Sequence, residues 1–202
     1  MKFIKTLLAS AALASAVLAA TATSAGAATL VDTGPGITGY GWTLGFGYSW
    51  AGEFTLNKAA DVTDLQAFMY NYDGTMVTQV YKANKGLPGT SKALFSEGYP
   101  VTYNPSAGWA GPSNLSLSLG AGTYWVTFLS TGFDGRIPEY PANPLADYAQ
   151  NLNGVWTDAS YATFGVRVLG ASVPEPGIWA MMLIGLGGLG AAMRSRRRLS
   201  PA

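Results

Sequence analysis

Neither cysteine nor histidine occurs anywhere in this chain of 202 residues. Without cysteine there is no disulfide, so an oxidising compartment would add nothing covalent to the fold. Without histidine, the commonest general base and the commonest transition-metal ligand are both missing. Charge is scarce as well, at 11% of residues, so a polyelectrolyte role has little to draw on. No stretch of the interior keeps helical hydrophobic periodicity over a dozen residues, which leaves strands as its regular structure.

Clustered positive charge sits at the ends. Lys2 and Lys5 precede an apolar, alanine-rich run from Thr6 to Ala20, and Ala25-Gly26-Ala27 offers a small-x-small cleavage site. That pattern is a signal peptide over residues 1–27, so the exported chain begins at Ala28. At the other end, Ile178 to Met193 is sixteen residues without a charge, followed by Arg194, Arg196, Arg197 and Arg198. Sixteen sits at the short limit for a spanning helix, which needs roughly 17–25 residues. The arginines hold the cytoplasmic side, leaving everything upstream facing outward. A plain tail anchor and a processed sorting tail both fit these residues.

Between the ends lies one domain, residues 28–171, long enough to bury a core. All eleven acidic residues but Glu175 fall inside it, against Lys58, Lys82, Lys85, Lys92, Arg136 and Arg167. Its net charge is therefore about −4, with no basic stripe to neutralise phosphate, which excludes nucleic acid as a partner.

Short strand patterns fill the domain. Val62 to Tyr70 puts Leu65, Ala67 and Met69 on one face and Phe68 and Tyr70 on the other. Asn71-Tyr72-Asp73-Gly74 then reads as a hairpin turn into Met76 to Lys82. Leu115 to Leu119 alternates apolar with serine. Thr123 to Ser130 is apolar on both faces, as a central strand covered on both sides would be. Tyr161 to Leu169 turns Phe164, Val166 and Val168 inward and Arg167 outward. About nine such strands predict an all-β, antiparallel two-sheet sandwich of jelly-roll type. An outer-membrane barrel is the competing architecture, but these strands lack paired aromatic girdles.

Chemical motifs are weak. Gly34-Pro35-Gly36-Ile37-Thr38-Gly39 fits a dinucleotide fingerprint in letters only, since no helix follows it. Glu53, Glu97 and Glu139 stand in no paired-carboxylate pattern, so an enzyme acting on polysaccharide is a distant reading and no catalytic residue is assigned. Asp61, Asp64 and Asp73 have the hard oxygens calcium prefers, without a loop signature for it, so no metal ligand or cofactor is assigned. Two loops hold more promise: Asn104 to Pro112, carrying Trp109, and the long segment Gly132 to Gln150, carrying Arg136, Tyr140 and Asn143. Trp109 and Tyr140 would stack on sugar rings while Arg136 or Asn143 bonds the hydroxyls. On that reading the two rings lie close together at one end of the sandwich.

Val173-Pro174-Glu175-Pro176-Gly177-Ile178-Trp179-Ala180, the short apolar helix and the arginine cluster resemble the PEP-CTERM sorting signal in its Pro-Glu-Pro-x-x-Trp-Ala variant. Pro174, Glu175, Pro176, Trp179 and Ala180 match it position by position. The resemblance implies recognition and cleavage by an exosortase in a Gram-negative bacterium that makes exopolysaccharide. It places the sorting tail at residues 172–202, with its membrane helix at 178–193. It also implies a transient inner-membrane intermediate followed by the cell surface or extracellular space. Val80-Tyr81-Lys82, Gly86-Leu87-Pro88-Gly89, Gly120 to Val126 and Phe164 to Val168 look, diffusely, like the jelly-roll ectodomains of that family. The expectation is a non-enzymatic surface or biofilm-matrix protein; the alternative is a carbohydrate-binding module for exopolysaccharide.

Overall fold

The computed structural model describes residues 27–71, 73–83, 86–88, 92–132, 134–173 and 181–188. Their strands are β1 (Ala28–Asp32), β2 (Ile37–Leu44), β3 (Tyr48–Leu56), β4 (Ala60–Asn71), β5 (Gly74–Lys82), β6 (Phe95–Val101), β7 (Asn104–Ala110), β8 (Leu117–Leu119), β9 (Gly122–Thr131), β10 (Gly135–Glu139), β11 (Asp147–Leu152), β12 (Val155–Asp158) and β13 (Val166–Ser172). One sheet runs β1-β13-β4-β10-β2, with β7 and β8 also paired to β4; the other runs β12-β11-β3-β9-β5-β6. Every pairing is antiparallel.

The two sheets share one core. Leu65, Ala67, Met69, Val166 and Val168 from the first sheet meet Trp50, Phe54, Met76, Val126 and Phe128 from the second, most with no exposure at all. Ring contacts bridge the gap: Phe164 stands 5.0 Å from Tyr148 and 6.3 Å from Phe128. Period-two alternation explains the facing. Leu65, Ala67 and Met69 are fully buried, while Phe68 and Tyr70 lie half-buried on the outward face.

β9 is central, flanked by β3 and β5. Its inward residues enter the shared core. Outward, Trp125 is 2% exposed and packs with Ala51, Ala149, Tyr81, Leu87 and Trp156. The connection after β5 reaches over it, and Trp125 Nε1 donates to the Gly86 carbonyl at 2.9 Å.

Four sequence expectations change. Asp73-Gly74 does not close a hairpin: β4 and β5 belong to different sheets. Asp73 Oδ1 instead accepts the Tyr103 N–H at 2.7 Å, tying the β4–β5 and β6–β7 connections together. The segment Asn104 to Pro112 is mostly strand β7, pairing with β4 alone. Pro105 is tolerated there because an edge strand has N–H groups to spare. The long segment Gly132 to Gln150 is not irregular throughout, since it contains β10 and the start of β11. The strands β1 and β12, unexpected from the sequence, are short edge strands held by one neighbour each.

Residues 181–188 are helical, with exposed side chains. Among the described residues no helix is long and apolar enough to cross a membrane. The signal peptide through Gly26 and the ends of the span expected at 178–193 lie outside the described residues.

Candidate functional site

A cleft of about 530 Å³ opens on the outward face of the first sheet. Its lining includes Thr43, Tyr70, Tyr103, Asn104, Asp134 and Arg136. Register explains the gathering. Near its end, β4 pairs Asn71 with Asn104 of β7, and Tyr70 with Arg136 of β10. Arg136 in turn pairs with Thr43 of β2. Tyr70 thus lies between a wall made by the start of β7 and a wall made by the start of β10.

Each wall is fixed from behind. The Tyr103 backbone is held by Asp73, and Asn104 Oδ1 accepts the Ser106 N–H at 3.0 Å. Arg136 Nε donates to the Gly41 carbonyl at 3.2 Å. That bond needs β2 to lie hard against β10. A side chain at Gly41 would collide with the Ile137 carbonyl, so only glycine permits the approach.

Of the four residues expected to bind glycan, the cleft contains Arg136. Trp109 is half-buried and already stacked: the Arg167 guanidinium carbon sits 4.0 Å from its ring centroid, and Phe68 meets it at 5.4 Å. Arg167 is held in place by Asp32, at 3.0 and 3.1 Å. Tyr140 is 58% exposed with a left-handed φ of 58°. A hydrogen bond to Glu139 pushes its phenol above the usual range, with the Glu139 charge acting in the same direction. Asn143 donates its backbone N–H to the Thr33 carbonyl at 2.8 Å, beside the β1–β2 turn. Trp109 and Tyr140 therefore engage different neighbours. Tyr70, Tyr103, Asn104 and Asp134 were missed. The outward alternation of Tyr70 along β4 was their one legible signal.

The carboxylates are dispersed. Asp61 bonds Ser118 at 2.5 Å and Asp64 accepts from Thr63 at 2.7 Å, while Asp73 holds Tyr103. Among the described residues no three metal-binding side chains gather. Glu53 and Asp147 face each other across β3 and β11. Burial, then the Asp147 charge, raises the Glu53 carboxyl above its ordinary value.

Residues 172–198 match the family model described as the PEP-CTERM protein-sorting motif. The chain carries that sorting motif. It implies an exosortase-sorted extracellular protein exported to the cell envelope or surface. Pro174, Glu175, Pro176, Trp179, Ala180 and the four arginines fall within the match but outside the described residues. No curated protein and no solved structure matches the chain.

Proposed function

We propose that the chain is a non-enzymatic matrix protein, delivered to the cell surface by its sorting tail, which holds exopolysaccharide in the cleft between β7 and β10. The cleft carries this reading. Tyrosine rings stack on the C–H faces of sugars, while Arg136 supplies donors and Asp134 an acceptor for hydroxyls. A shallow surface site binds weakly because it immobilises a polymer while burying little of it. Display of many copies offsets that weakness. An exosortase acting on the tail and a matrix polysaccharide held by the sandwich give the two halves of the chain one purpose.

Retention on the host's native exopolysaccharide tests the reading. The Tyr103→Ala and Arg136→Ala double variant should wash through where the parent protein is held, with an unchanged melting temperature. Equal retention of parent and variant would favour a purely structural matrix role.

A further inference from the structure

Resting on the glycan reading of the cleft, we infer that its ligand is an uncharged, hydroxyl-rich glycan rather than an acidic or a cationic one. Opposite charges line the same small space: Asp134 accepts hydrogen bonds only, and Arg136 donates only. They stand two residues apart around Gly135, at the start of β10. Among the described residues they form no ion pair with each other.

Arg136 is held by its Nε bond to Gly41, and no other hydrogen bond or ion pair engages it among the described residues. That leaves its terminal amino groups for a ligand, already oriented by the fork geometry of the guanidinium. The cleft therefore offers the held guanidinium of Arg136 as donor and the Asp134 carboxylate as acceptor. A vicinal pair of sugar hydroxyls fits such a set, because each hydroxyl both donates and accepts.

Charged ligands fit less well. A carboxylate-bearing sugar satisfies Arg136 but meets Asp134, and its polymer meets a domain of net charge about −4. An amino sugar satisfies Asp134 but meets the guanidinium. A neutral sugar meets neither penalty.

The test uses the full chain with three named polymers: a neutral β-glucan, polygalacturonate and chitosan. Affinity electrophoresis should show retardation by the glucan alone, nearly independent of salt, because no counterions are released. Asp134→Asn and Arg136→Gln should each weaken glucan binding about tenfold, as expected for losing a charge-assisted hydrogen bond. Salt-sensitive retardation by polygalacturonate, lost in Arg136→Gln and kept or strengthened in Asp134→Asn, would overturn the inference while leaving the glycan reading intact. Chitosan retardation lost in Asp134→Asn would do the same with the opposite sign. Retardation by neither the three polymers nor the native exopolysaccharide would sink both. The ranking of the three polymers by the parent protein decides the matter even if a variant fails to fold.

Discussion

Arg167 decides what Trp109 is available to do. With its guanidinium lying over the indole and Asp32 behind it, the ring face a sugar would need is taken. Such a stack adds about 0.5–1 kcal/mol, and a partly exposed ion pair about 0–1 more. Arg167→Ala should therefore lower stability by about 1 kcal/mol in urea unfolding and leave exopolysaccharide retention unchanged. Gain of retention in that variant would mean that freeing Trp109 creates a sugar platform. A second residue-scale effect is set by pH. The raised Glu53 carboxyl binds its proton more tightly in the folded than in the unfolded chain. The stability this contributes is complete at low pH and is lost as pH rises from the ordinary value of 4.5 through the raised folded value. Glu53→Gln should thus stabilise the fold at neutral pH and lose that advantage below the ordinary carboxylate range. An advantage of equal size at both ends of a pH series of urea midpoints would contradict a Glu53 carboxyl raised by burial and by the Asp147 charge.

At the scale of elements, β9 is the strand buried on both faces between β3 and β5. Trp125→Ala or Phe128→Ala should cost roughly 3–5 kcal/mol by opening a cavity on one or other face of the strand. Ser116→Ala, at an exposed position, should stay within about 0.5 kcal/mol, and Ser118→Ala should add only the loss of its exposed bond to Asp61. Similar losses in the two sets would mean the facing is wrong. The same strand shows what alternation makes legible. Both-faced burial of Thr123 to Ser130 and inward Phe164, Val166 and Val168 follow from side-chain period alone, and the structure agrees. Turn chemistry was less transparent. Asp73-Gly74 resembles a hairpin turn, yet its carboxylate bonds another connection. A turn that does close a hairpin is Asn153-Gly154, between β11 and β12. Both residues have positive φ there, 52° and 92°, as a two-residue hairpin of mirror-image type demands. The cleft is legible in the sequence at Arg136 and, through outward alternation along β4, at Tyr70. Its other members meet through pairings of β4 with β7 and β10, strands distant in sequence, and no local pattern encodes that meeting.

The whole molecule joins a sandwich to an address. Glu175→Ala or Pro176→Ala should leave export intact and stop processing, seen as unprocessed product when membrane and medium fractions are blotted. Normal-sized product from both variants would make the tail a plain anchor despite its match to the sorting motif. Hydrogen exchange with the native exopolysaccharide bound tests what the address serves. Exchange should slow at the end of β4 around Tyr70, at Tyr103 and Asn104, and across Asp134 to Arg136, with the face of Trp125 unchanged. Protection confined to the face of Trp125 or to the Tyr140 loop, or no protection at saturating polysaccharide, would contradict the glycan reading of the cleft.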